Sequence, residues 1–436
     1  MAKSREPLLQ QQQPPKTSQL ARTLSRADDE LVSFRSCLRW SCVDQTTTPR
    51  ALLSWSLFFL LAVAVPAVSH FVLSYSERRR PYDSVVQLSL SAGASLSFVC
   101  LSASLRRYGL RRFLFLDKLQ MESRRVQVGY AAQLRRSLWM LACCVLPSFL
   151  AECGYKVWWY CSGARRIPFL GNEIASDSVA CALELASWIY RTTMFFLVCV
   201  LFRLICYLQI LRLQDFAMVF QEESEVAAVL SEHLRIRRQL MVISHRFRRF
   251  IVAGLVLVTA TQLAALLLTT RSHAEVNLFN TGEMALSSLG LVAGLLICLR
   301  SAAKITHKAQ ALTSHAAKWH VCATIESFEA DPETPCEAAA ASNRVFSVID
   351  VENQEEFDGE EAGDAEEDEL EGTKLVHPHA NTICFQKRQA LVTYLENNRA
   401  GITIFGFVLD RGYLHMVFMI QLSLVLWLLG KTIGIS

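Results

Sequence analysis

The feature that most restricts this chain is a set of seven apolar runs, each about the 20 residues an α-helix needs to cross a bilayer. They lie near Ala51 to Tyr75, Ser84 to Leu105, Leu138 to Tyr160, Val179 to Cys206, Phe250 to Thr270, Met284 to Ile305 and Ile404 to Leu429. Lipid offers no partners for backbone N–H and C=O groups, so runs of this length read as helices, which satisfy those groups internally. The expectation is an all-α, polytopic bundle of seven transmembrane helices. Composition agrees, because only 19% of the 436 residues are charged, against about 25% in an ordinary soluble domain. The first run ends in an Arg triplet rather than a small-residue cleavage site, so it is not a cleavable signal peptide.

Lys and Arg fix the orientation, since acids contribute little to insertion bias. The segment before the first run holds eight basic residues, and the loops 106–136, 207–250 and 300–401 hold nine, seven and nine. Those 33 fall on one side of a seven-span topology, and seven fall on the other: Arg78, Arg79, Arg80, Arg165, Arg166, Arg271 and Lys431. The N-terminus is therefore expected in the cytosol and the C-terminus outside, the reverse of a G-protein-coupled receptor. The net charge of +4 gives a nucleic-acid reading little support, because the basic residues are spread over several loops.

Between Asn172 and Ala253 there is neither Gly nor Pro, so helices can leave the bilayer unbroken. Phe216, Val219, Phe220, Val226, Val229, Leu230, Leu234 and Ile236 recur at spacings of three and four, an amphipathic stripe. The fourth and fifth spans are expected to extend as a cytosolic hairpin, and the sixth to run on to Asp331. A further cytosolic helix is expected before the last span, with Gly401 as its cap. These stripes suit a bundle closed within one subunit or packing between subunits. The division is then 1–50, a disordered cytosolic tail; 51–330, spans one to six with extensions; 331–380, a disordered acidic insertion; and 381–436, a cytosolic helix and the seventh span. Eleven of the forty acids lie between Glu355 and Glu371, too polar a stretch to bury. The plasma membrane is the expected location; EPLL near the N-terminus leaves a vacuolar or other endomembrane open.

Ionisable residues inside spans usually face the bundle interior or water. Glu152 and Lys156 are four apart in the third span, and Glu184 and Arg191 seven apart in the fourth. With Trp159 and Trp188 they define an expected ligand pocket in the outer half, alongside Trp158, Tyr160 and Tyr190. The alternative is that the charges pair between the two helices while the aromatics form an interface belt. Gly290 and Gly294 form a GxxxG that points to close helix packing. His315, His320 and Cys322 make a weak metal set, and His377 and His379 fall in the acidic insertion. The fourteen cysteines contain no CxxC pair and read mostly as small apolar packing residues; Cys161 and Cys181 flank one loop and would pair only in an oxidising compartment. No P-loop, GxSxG, HExxH or kinase signature is present, so no enzyme, cofactor or metal is expected.

The segment AGITIFGFVLDRGYLHMVFMIQLSLVLWLLG, residues 400–430, resembles the C-terminal signature of insect gustatory and odorant receptors. Gly406, Phe407, Leu409, Asp410 and Arg411 match its early part, and the chain departs at Ser423, Leu424 and Gly430. The whole chain also resembles an uncharacterised plant membrane family, distant from those receptors. The resemblance implies a tetrameric homo-oligomer joined through cytosolic helices, a cation pore lined by the seventh span, and an outer pocket for an unidentified small molecule. The implied pore face is Phe418, Gln421, Leu424, Val425 and Leu428. Two readings follow: a chemoreceptor-like, ligand-gated cation channel, or a membrane scaffold recruiting cytosolic partners through the helical bundle and acidic insertion. A transporter would need internal repeats, which are not visible.

Overall fold

The structure, a computed structural model, describes residues 48–74, 82–113, 123–161, 173–219, 226–270, 278–329, 385–398 and 400–433. The N-terminal tail with EPLL and the whole acidic insertion 331–380, with His377 and His379, lie outside them. Among the described residues the chain is a helical bundle: α1 (Thr48–Phe58), a π-helical turn (Phe59–Ala64), α2 (Val65–Ser74), α3 (Asp83–Phe113), α4 (Arg124–Cys161), α5 (Glu173–Val219), α6 (Val226–Thr269), α7 (Leu278–Glu329), α8 (Phe385–Asn397) and α9 (Arg411–Ile433). Seven spans are long and apolar enough to cross a membrane, the first comprising α1, the π turn and most of α2.

The π turn has a local cause. Pro66 has no N–H, so the turn before it cannot continue an ordinary ladder. The Val65 N–H reaches back five residues to the Leu60 carbonyl. In that register the Leu61 carbonyl would need the missing Pro66 N–H. Ser187 Oγ of α5 replaces it, donating to Leu61 O at 2.5 Å.

Four helices far exceed the bilayer. α4 to α7 contain 38, 47, 44 and 52 residues, roughly 57 to 78 Å at 1.5 Å per residue, against a hydrocarbon core of about 30 Å. The expected extensions of α5, α6 and α7 are present, and α8 packs on α6 and α7 through buried Leu391, Val392 and Leu395. Phe216, Val229 and Ile236 of the amphipathic stripe are buried, whereas Leu234 is exposed. α5 is the axis of the molecule: 89% of its most apolar window is buried within the chain, and Cys199 to Phe202 are closed on all sides. A helix that is apolar all round belongs in such a position.

Two boundaries differ from the expectation. The seventh span begins at Arg411, not Ile404, because Thr403–Ile404 and Phe407–Val408 form a two-stranded hairpin. Phe405 and Gly406 make its turn with φ of 48° and 93°; left-handed backbone at both central positions suits such a turn, and only Gly adopts it without cost. Asp410 then starts α9: its Oδ1 accepts from the Arg411 N–H at 2.7 Å and its carbonyl from the Leu414 N–H at 3.2 Å. Thus the family-motif residues Gly406, Phe407, Asp410 and Arg411 build a turn and a helix start. Gly401 does not cap α8. Asn398 ends that helix, its backbone N–H and side-chain Nδ2 both donating to the Tyr394 carbonyl. Gly401 is needed instead where the chain presses on Thr306 of α7, whose side chain lies 3.2 Å from where a Cβ would stand.

Candidate functional site

At the end of the bundle opposite the extensions, here called the distal end, four carboxylates and two bases from four helices come together. Lys156 Nζ of α4 lies 3.0 Å from Glu184 Oε2 of α5, 3.3 Å from Glu283 Oε1 of α7 and 3.6 Å from Glu152 Oε1 on its own helix. Lys156 and Glu152 are 1% exposed, and Glu184 and Glu283 little more. Ser69 of α2 adds a donor, its Oγ reaching Glu184 Oε1 at 2.6 Å. The ammonium thus ties α4, α5 and α7, and through Ser69 the first span. Buried ions persist only when paired in this way.

Arg191 stands seven residues after Glu184, on the same face of α5 as the spacing requires, yet it turns toward α3. Its Nε donates to the Ser187 carbonyl at 3.3 Å, and its Nη1 to the Gln87 carbonyl at 3.3 Å and to Ser91 Oγ at 3.2 Å. Gln87 in turn donates to Asp83 Oδ1 at 3.2 Å. Glu283, Asp83, Glu152 and Glu184 all act on the Arg191 charge.

Beside Arg191 lies a cavity of about 20 Å³, room for about one or two waters, bounded by α3, α4, α5 and α7. Leu90, Phe195, Phe196, Leu286 and Leu291 supply apolar walls, and Trp188, Arg191, Thr192, Ser148 and Ser287 the polar ones. Of the six expected pocket residues, Trp188 and Arg191 line this cavity. Glu152, Lys156 and Glu184 form the adjoining ion cage, while Trp159 is buried nearby on α4. Trp158 is 45% exposed. The sequence reading missed Glu283, which falls one residue before the sixth apolar run as drawn, and Ser69, an ordinary small residue within the first. An acid at the very mouth of a span was the available signal for Glu283.

Of the GxxxG pair, Gly294 marks close packing and Gly290 lies in ordinary contact. A Cβ at Gly294 would collide with the ring of Phe195, and Phe196 lies 3.9 Å from one built at Gly290. The Phe195 ring therefore sets the spacing of α5 and α7 beside the cavity. Among the described residues no group of three or more His, Cys, Asp or Glu is arranged to hold a metal; His320 packs against the ring of Phe385. Cys161 and Cys181 are free thiols, not a disulfide.

The expected pore-face residues fall on both the packed and the open sides of α9. Gln421, Val425 and Leu428 are buried within the chain at 2%, 4% and 3% exposure, because α9 packs that face on α6 and α7. Gln421 Nε2 donates to Thr259 Oγ1 of α6 at 3.0 Å, and Gln262 Nε2 to the Gln421 carbonyl at 3.5 Å. Leu424 is half-buried and Phe418 borders the open side. The exposed stripe of α9 is Tyr413, Met416, Met419, Ile420 and Leu426. At its distal end Leu428 joins Trp188, Leu90, Ala265 and Met284 in one apolar cluster, so the cavity and the last helix share a packing unit.

Comparison with solved structures finds the same fold in the insect olfactory receptor OR5 from Machilis hrabei. The two share 12% identity with a TM-score of 0.51, over 92% of this chain and 99% of that one. The same receptor in complex with eugenol aligns at 12% identity and a TM-score of 0.50, over 88% and 90%. Together with seven apolar helices, this fold makes the chain an integral membrane protein. No curated protein matches it. A model of a protein family of unknown function, DUF3537, matches residues 29–420, which is most of the described bundle, and the chain belongs to that family.

Proposed function

We propose that this protein is a chemoreceptor-like membrane protein, a non-enzymatic ligand-gated cation channel of four subunits. The observation that carries the reading is the distal cavity, enclosed by four helices and joined to α9 through the Trp188–Leu428 cluster. The likeness in fold to a receptor solved in complex with eugenol supports a small-molecule ligand. In its present form the cavity has room for little more than water, so an entering ligand must part the α5–α7 contact at Phe195 and Gly294. That contact and the shared cluster give a mechanical route from the cavity to the last helix.

Under this reading the exposed stripe of α9, not the Gln421 face, meets neighbouring copies or the pore. The charge asymmetry supports an N-terminus and helical extensions in the cytosol and a cavity toward the outside, with the plasma membrane as the working location. The test is cation flux into proteoliposomes of purified protein while a panel of small organic molecules is applied from the distal side. The expected result is ligand-evoked flux that a Met419→Cys variant loses on thiol modification. Protein that is folded and tetrameric yet passes no cations under any ligand or voltage would contradict the channel assignment.

A further inference from the structure

The hairpin ahead of α9 presents apolar side chains outward. Phe405, Phe407 and Val408 are 60%, 73% and 45% exposed. Phe405 also holds a φ of 48°, where a bulky residue is an outlier and Gly or Asn the usual choice. A strained and exposed ring gains little from its own chain. The contact it does make is with Arg248 of α6, whose guanidinium carbon stands 5.0 Å from the ring centroid, within reach of a cation–π attraction.

The place of the hairpin in the bundle limits what can cover it. The Thr403 N–H donates to Ser244 Oγ of α6 at 3.1 Å, and the Ile402 N–H to Thr306 Oγ1 of α7 at 3.2 Å. Ser244 lies one and a half turns, about 9 Å, ahead of the apolar stretch of α6 that begins at Phe250. Thr306 directly follows the sixth apolar run, and α9 opens at Arg411. Three spans thus end beside the hairpin, which sets its aromatic tip at the level of lipid headgroups, where amphipathic and aromatic side chains collect.

Charge selects the partner. Arg248 is half-buried, and Arg249 and Arg411 are exposed. Arg249 precedes Val256 by two turns and shares its face, the side on which Val256 is 62% exposed. Asp410 is the acid beside Arg411, and its Oδ1 accepts from that residue's backbone N–H. A second copy meeting the same hairpin across a symmetry axis would set arginine against arginine, which is costly. An anionic headgroup pairs with the guanidiniums while its acyl chains meet the phenyl rings.

We propose that the hairpin is a docking site for an anionic phospholipid, its headgroup held by Arg248, Arg249 and Arg411 and its upper acyl chains by Phe405 and Phe407. Asp410 follows the hairpin and starts α9, so an occupied site bears directly on the last helix. The lipid site stands whether or not the chain conducts.

Photocrosslinking from the hairpin tests it. Full-length Phe407→benzoylphenylalanine protein is irradiated in nanodiscs of equal parts phosphatidylserine and phosphatidylcholine with identical acyl chains. Mass spectrometry of the hairpin peptide then identifies what was captured. Phosphatidylserine adducts should exceed phosphatidylcholine adducts at least about fivefold, the effect of roughly one base near an anionic surface. Arg248→Gln combined with Arg249→Gln should bring that ratio close to one. If the residue 407 variant does not assemble, Val408→benzoylphenylalanine is read in the same way. Equal capture of the two lipids by the parent hairpin overturns the anionic site. Capture of a second copy of the chain gives the hairpin to subunit contact and overturns it as well. Folded protein that captures neither lipid nor chain puts the tip in water, with the same consequence.

Discussion

Lys156 lies closer to Glu184, on another helix, than to Glu152 one turn away on its own: 3.0 Å against 3.6 Å. An exposed pair spaced by four contributes a few tenths of a kcal/mol. A lysine closed to water among three carboxylates from three helices is a different object, because each charge left behind is buried and uncompensated.

Lys156→Met should therefore cost about 3–5 kcal/mol, the range for breaking a buried ion pair from one side. The methionine keeps the volume and loses the charge. Thermal unfolding in detergent or nanodiscs would show it as a large drop in midpoint. A variant that unfolds like the parent would mean that the ammonium does not hold α4, α5 and α7 together.

Ser187 should matter out of proportion to its size. It satisfies the Leu61 carbonyl that Pro66 cannot serve, and it is itself fully buried. Ser187→Ala should lower stability by about 1–3 kcal/mol, the desolvation cost of an unpaired carbonyl. Pro66→Ala in the same background should recover part of that loss by restoring an N–H to the ladder. Equal unfolding midpoints for the single and double variants would contradict the register argument.

Gly294→Val should be poorly tolerated, because even its Cβ meets the Phe195 ring. Overpacking of this kind costs about 1–3 kcal/mol, and Phe195→Ala should relieve it in the double variant. Unfolding midpoints of the four proteins of the cycle measure that coupling. Strict additivity would remove the α5–α7 contact from the account of how the cavity opens.

His233 gives a pH dependence. It sits on the polar part of α6, ahead of the apolar stretch that begins at Phe250, and is 3% exposed with its ring edge-on to Tyr394 of α8. Burial, aided by the charge of Arg237, lowers its pKa from 6.5 to about 4. The unfolded chain therefore takes up a proton at higher pH than the folded one. The contribution to stability is complete above pH 6.5, falls as the pH drops toward about 4, and is constant below that. His233→Phe should flatten that part of the pH–stability curve. An unchanged slope between pH 6.5 and 4 would assign it to other groups.

Much of this architecture was legible in the sequence, because bilayer length, charge asymmetry and a missing helix breaker are strong one-dimensional signals. α5 and α6 emerge as long helices from an 82-residue interval without Gly or Pro. The ion cage was half legible: spacing put Glu184 and Arg191 on one face but cannot say which neighbour each will meet. Arg191 found backbone carbonyls, and Glu184 found Lys156. The face of α9 was not legible at all. Its apolar residues surround the helix, so periodicity cannot separate the side packed on α6 and α7 from the open one. Phe405 and Gly406 misled the boundary of the last span, since an apolar hairpin and a span entrance have similar composition.

Subunit number in nanodiscs, counted by single-molecule photobleaching of a fluorophore on the C-terminus, tests the central claim most directly, because it needs no ligand. The account predicts four bleaching steps, with the count reduced when charged residues replace Met416, Met419 and Ile420 on the open stripe of α9. A single step for folded protein would contradict it, leaving no shared axis for α9 to line.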